Sequence, residues 1–157
     1  MANLDLLENS IPVAPIKLAA LPGSMEMAKK VDSYLVQFRR ELTERRSGVP
    51  FSGYSEDSFL IDCECPRFGS GEAKGKINES VRGADLYILV DVCNYSLTYS
   101  LCGYTNHMSP DDHFQDLKRI IAAVGGKARR INVIMPFLYE SRQHKRSGRE
   151  SLDCALG

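Results

Sequence analysis

Asp85-Leu86-Tyr87-Ile88-Leu89-Val90-Asp91 is an unbroken apolar run held between two acids. That is the pattern of a strand covered on both faces in a parallel sheet. Ile16-Lys17-Leu18-Ala19-Ala20-Leu21, stopped by Pro22-Gly23, reads as a shorter buried strand, and so does Ile131 to Met135, closed by Pro136. Phe59 to Cys65 alternates, which predicts a strand with one side buried. Two amphipathic helices lie between these runs. The first spans Ser24, as N-cap, to about Arg46, with Ala28, Val31, Leu35, Phe38 and Leu42 spaced at three and four residues. Its other face carries Lys29, Lys30, Arg39, Arg40, Arg45 and Arg46, a solvated face to which no function is assigned. The second helix starts at Ser109-Pro110-Asp111-Asp112, a capping serine, a proline at the first helical position and two acids at the positive end of the dipole. Phe114, Leu117, Ile121 and Val124 form its apolar stripe, and Gly125-Gly126 ends it. Strand, helix, strand, strand, helix, strand is the order of an α/β fold with a parallel sheet flanked by helices.

The chain has 157 residues, enough for one such domain, with 43% hydrophobic and 25% charged side chains, 12 Gly and 7 Pro. This composition excludes disordered and fibrous classes. Twenty basic side chains balance twenty acidic ones, so whole-chain charge offers nothing to nucleic acid or an anionic membrane. From Lys127 onward, however, seven Lys and Arg face three Asp and Glu, so an anion site belongs late in the chain. No stretch approaches the roughly 20 apolar residues of a membrane span. Five cysteines, an odd set without CxxC or metal spacing, read as reduced thiols, which fits a cytoplasmic location. Residues 1–15 read as a leader ahead of a domain over 16–157.

Ligands of open parallel sheets bind beyond the carboxyl ends of the strands. Two polar segments fall there. Pro66 to Gly75 holds three glycines and is followed by a second run, Ala73 to Asn78, which predicts a projecting β-hairpin flap. After Pro136 comes Arg142-Gln143-His144-Lys145-Arg146-Ser147-Gly148-Arg149, four cations in eight residues. Such a run suits a polyphosphate, since arginine grips phosphate oxygens in pairs, although an exposed basic loop has the same composition. Residues 93–108, rich in Tyr, Ser, Asn and Gly, read as a long loop. No GxxxxGK[ST] motif or Ser/His/Asp set is present.

Arg67-Phe68-Gly69-Ser70-Gly71-Glu72, then Ile77-Asn78-Glu79-Ser80-Val81-Arg82-Gly83-Ala84-Asp85, then Met135-Pro136-Phe137 and Arg142-Gln143 recur in an order that resembles the amino-terminal half of ribose-phosphate pyrophosphokinases, from about Ile16 to Leu156. The resemblance implies a phosphoribosyltransferase-like α/β domain. It implies a magnesium-dependent transfer of the diphosphoryl group of ATP to ribose 5-phosphate, giving phosphoribosyl pyrophosphate and AMP, in a homo-oligomer in which dimers build to a hexamer. Phe68 and Glu72 would hold the adenine and ribose of ATP bound to a neighbouring subunit, and Ser70 lies between them in the same motif. Arg142, Gln143 and His144 would line the same nucleotide. Ser80 and Arg82 match positions that bind an effector phosphate in regulated members.

Two departures stand out. The family usually has aspartate where this chain has Ser70, and aspartate where it has His144. Losing the first removes an acceptor for the adenine amino group. The resemblance also assigns the metal-binding histidine, the ribose 5-phosphate loop and the catalytic flexible loop to a carboxyl-terminal half. The expectation is therefore that this chain is a fragment, inactive alone, with no catalytic or metal-ligating residue of its own. A silent homologue that regulates the synthetase by joining its oligomer is the alternative, favoured by Ser70 and opposed by Arg142 and Gln143. A stand-alone nucleotide-binding module is a further possibility.

Overall fold

The structure, a computed structural model, describes residues 12–45 and 52–153. Four parallel strands form the main sheet: β1 (Ile16–Ala20), β2 (Leu60–Ile61), β5 (Asp85–Leu89) and β8 (Arg130–Ile134), in the order β2-β1-β5-β8. Helix α1 (Met25–Arg45) covers one face and α2 (Pro110–Val124) the other. The alternation of a strand decides which residue meets which helix. Leu86, Ile88 and Val90 point to the α2 side with Leu117, Ile120 and Val124, whereas Tyr87 and Leu89 point to the α1 side with Ala28, Val31 and Leu35. The apolar run at 85–91 is thus buried on both faces, as its composition requires.

Several local expectations change. Phe59 to Cys65 is broken at the exposed Asp62. Its first part, β2, pairs with β1, and its second, β3 (Cys63–Glu64), leaves the sheet to pair antiparallel with β4 (Lys76–Ile77). Ser24 does not cap the first helix. It closes a 3₁₀ turn over Pro22–Ser24, its amide donating to the Leu21 carbonyl, while its hydroxyl is buried without a hydrogen-bond partner. Phe38 is half-buried and lines an open groove with Val31, Tyr34 and Leu35 at the margin of the core. Arg39 stacks on the Tyr54 ring at 3.9 Å, so it is less solvated than its position predicts. Among the described residues β8 is an edge of the sheet, with Val133 and Ile134 about 40% exposed.

Residues 93–108 are not a structureless loop. They carry an antiparallel hairpin, β6 (Thr98–Leu101) and β7 (Tyr104–His107), joined by the two-residue turn Cys102-Gly103. The second helix starts as expected. Ser109 and Asp112 form a reciprocal capping box, Pro110 is the first helical residue, and Gly125 closes the helix in the left-handed conformation. Most of the leader, Arg46 and residues 154–157 lie outside the described residues.

Candidate functional site

The flap is a hairpin built on β3 and β4, with register Cys63↔Ile77 and Glu64↔Lys76 and a further bridge at Arg67↔Ala73. It lies along α2 at its base. A β-carbon on Gly75 would stand 2.3 Å from the Arg119 carbonyl oxygen, so only glycine lets the flap backbone approach the helix this closely. Arg67 donates to Asp116 at 2.8 Å, and Arg119 holds the other carboxylate oxygen at 2.6 Å. Burial pushes the Asp116 carboxyl up, and the guanidinium groups of Arg119 and Arg67 pull it back down without fully offsetting the desolvation. Cys65, packed beside this carboxylate, has its thiol pushed up to about 12 by burial and then by the Asp116 charge.

At the flap tip the chain reverses over five residues. The Phe68 amide donates to the Glu72 carbonyl at 2.7 Å and the Gly71 amide to the Phe68 carbonyl at 2.9 Å, with Gly71 at φ +87°. Phe68 is 52% exposed, and Ser70 and Glu72 are exposed beside it. The turn therefore gathers an aromatic ring, a hydroxyl and a carboxylate on one surface. The Ser70 hydroxyl donates to Glu72 Oε2 at 3.0 Å, a bond that an aspartate at this position could not donate when ionised.

The basic run also sits beyond a carboxyl strand end. It follows β8, and its approach is pinned to α2 by Tyr139, which stacks on Phe114 at 4.3 Å and donates its hydroxyl to the Asp111 carboxylate, holding the phenol above its usual range. Within the run the Gln143 side chain is used by the loop itself, its Nε2 donating to the Lys145 carbonyl at 3.0 Å and its Oε1 accepting from the Asp153 amide at 3.1 Å. His144 Nδ1 donates to the Arg142 carbonyl at 3.1 Å. Arg142 is exposed, and no carboxylate pairs with its guanidinium among the described residues.

Phe68, Ser70 and Glu72 are thus brought together, and Arg142, Gln143 and His144 form a second group. The two groups reach α2 on opposite flanks, one at Asp116 and Arg119 and the other at Asp111 and Phe114, because those pairs lie on opposite sides of a 3.6-residue helix. Ser80 and Arg82 lie in neither group. They are exposed in the turn before β5, at the amino end of the sheet, where the Arg82 amide reaches Ser80 Oγ at 3.4 Å. The five residues of β5, roughly 15 Å, separate them from the carboxyl edge. Arg67 opens the first motif, but its pairing with Asp116, which fixes the flap, escapes a reading by motif because the two residues are 49 apart in sequence.

Residues 16–157 match the family model described as the N-terminal domain of ribose phosphate pyrophosphokinase. Among solved structures, phosphoribosylpyrophosphate synthetase from Mycobacterium smegmatis is similar with a TM-score of 0.60 at 24% identity, over 90% of this chain and 36% of that one. The chain therefore spans about a third of that structure's length, and at this identity the likeness speaks for the fold. No curated protein matches the chain.

Proposed function

We propose a function from the family: the chain belongs to the N-terminal domain family of ribose phosphate pyrophosphokinase, and a protein built on it transfers the diphosphoryl group of ATP to ribose 5-phosphate, giving phosphoribosyl pyrophosphate and AMP. Residues 16–157 form its nucleotide-holding α/β domain. The observation that carries this reading is the exposed turn, closed by the bond from the Phe68 amide to the Glu72 carbonyl, that presents both side chains to solvent. An aromatic face accepts a purine by stacking, and a carboxylate accepts hydrogen bonds from ribose hydroxyls. Arg142 is free to take phosphate oxygens and offset charge that develops on the transferred phosphorus. Gln143 and His144 shape the loop behind it. Ser80 and Arg82 remain candidates for an effector phosphate at the far end of the sheet.

Magnesium would enter with the nucleotide. Among the described residues no three His, Cys, Asp or Glu side chains converge on one point. The ion would be held through substrate phosphates and waters, since magnesium seldom takes an all-protein cage. The residues of this chain bind and orient the nucleotide, and the rest of the machinery belongs to the remainder of the family's fold.

The separation of the flap from the basic run around α2 supports a site shared between subunits of a homo-oligomer. The test uses the full-length protein. Phe68→Ala and Arg142→Ala proteins should each be nearly inactive, and mixed oligomers of the two should regain activity, because one site can combine an intact flap with an intact basic run. Absence of rescue in mixed oligomers verified by mass would reject the shared site. A protein silent before any substitution, yet able to join an active synthetase, would favour the regulatory alternative that Ser70 supports.

A further inference from the structure

Resting on the reading of the flap as a nucleotide-presenting element, we propose that the β6–β7 hairpin is a brace that holds the flap turn in its presenting conformation, with Tyr99 and Leu101 as positioning residues. The alternation along β6 supports this. Thr98 and Ser100 are exposed, whereas Tyr99 and Leu101 are partly buried on the side that faces the flap. The Arg67 guanidinium lies 4.8 Å from the centre of the Tyr99 ring, so the flap arginine is held between that ring and the Asp116 carboxylate. Leu101 Cδ1 comes within 2.9 Å of where a β-carbon on Gly71 would stand, so leucine and glycine are packed in contact. The Cys102 amide donates to the Gly69 carbonyl at 3.2 Å, which ties the tip of the hairpin to the tip of the flap.

The hairpin is itself rooted. Its two turn residues, Cys102 at φ +50° and Gly103 at φ +83°, take the left-handed pair that matches strand twist. At its base the Met108 amide donates to the Leu97 carbonyl at 2.8 Å, and His107 stacks on Tyr95 at 4.8 Å, immediately before the Ser109 cap of α2. Flap and hairpin therefore share α2 as a common anchor, one at its amino end and the other at Asp116 and Arg119. A turn of five residues with two internal bonds would otherwise sample many conformations. Holding it in place lowers the ordering cost of binding and leaves the chemical step untouched.

The test has two arms. In the chain without nucleotide, amide exchange is followed by mass spectrometry for residues 67–74 and, as internal reference, for α1. Leu101→Ala and Tyr99→Ala, made separately, should raise the ratio of flap to α1 exchange by roughly tenfold. Tyr99→Phe, which keeps the ring under Arg67, should restore the wild-type ratio, and Ser100→Ala, on the exposed face of β6, should not change it. An unchanged ratio in both alanine variants, whether neither segment moves or both move together, overturns the brace. In the full-length protein the same alanine variants should raise KM for ATP several-fold with kcat nearly constant. Faster flap exchange with unchanged KM would keep the brace and reject the nucleotide reading of the flap. A Phe68→Ala defect in ATP use together with an unchanged exchange ratio would keep that reading and reject the brace.

Discussion

Arg67, beside the turn of the flap, and Asp116, midway along α2, form an ion pair at 2.8 Å with side chains only 12% and 5% exposed. Forty-nine residues separate them in sequence. The pair joins the element that carries Phe68 and Glu72 to the helix that also anchors the basic run. Because Asp116 serves both Arg67 and Arg119, removing the carboxylate leaves two guanidinium groups without their partner.

Asp116→Ala should therefore cost about 3 to 5 kcal/mol of stability, the range for breaking a buried pair from one side. Lys76→Met, which removes the exposed Lys76–Glu64 pair, should cost under about 1 kcal/mol. Urea denaturation of the two variants checks the contrast.

Gly75→Ala tests the close approach of flap and helix. Its β-carbon would overlap the Arg119 carbonyl, and backbone on both sides leaves no flexible group to move. The expected loss is about 1 to 3 kcal/mol, as for overpacking, with exchange of the 67–77 amides rising ahead of the main sheet. Equal exchange in the variant and the parent would contradict the contact.

Stability at acid pH should report the Asp85–Arg130 pair across β5 and β8. Hydrogen bonds from Arg130, above all, hold the Asp85 carboxyl below its ordinary value, against the effect of burial. A carboxyl with a depressed folded pKa stabilises the fold fully above its unfolded value, about 3.9, and loses that contribution as pH falls through the folded value. Denaturation midpoints should fall as pH drops below about 4. In Arg130→Leu that part of the slope should flatten.

Alkylation should discriminate among the thiols. Cys93 and Cys102 are exposed, whereas burial raises the Cys63 thiol and carries that of Cys65 to about 12. Thiolate is the nucleophile, so iodoacetamide at pH 8 should label Cys93 and Cys102 and spare Cys63 and Cys65 until denaturant is added. Peptide mass mapping reads the order.

Arg142→Ala in the full-length protein should raise KM for ATP and lower turnover, since a charged phosphate contact is worth about 1.5 to 3 kcal/mol. Lys29→Ala, exposed on α1, should change neither. Small and equal effects in steady-state kinetics would reduce the run from Arg142 to Arg149 to an exposed basic loop. Residues 1–157 assayed alone with ATP, magnesium and ribose 5-phosphate should form no phosphoribosyl pyrophosphate.

The sequence by itself determined the parallel sheet, because an apolar run such as Leu86 to Val90 has no stable place except between two covering layers. It determined the start of α2 as well, since Ser109, Pro110 and Asp112 act within one turn and need no distant partner. The flap was legible from Pro66 and its glycines, and the basic run from its charge. Only the tertiary structure decided that Phe59 to Cys65 divides between two sheets and that β8 is an edge, because pairing is settled by neighbours remote in the chain. The same holds for the hairpin at 98–107, whose alternation is confined to the four residues Thr98–Leu101, with a largely polar β7 beside them, and whose support comes from Arg67 and Gly71. Asp116 and His113 are buried although their types predict solvent. Burial of a polar group is set by whether a partner arrives through the fold, here Arg67 for one and the Asn94 carbonyl for the other, and no local pattern encodes that arrival.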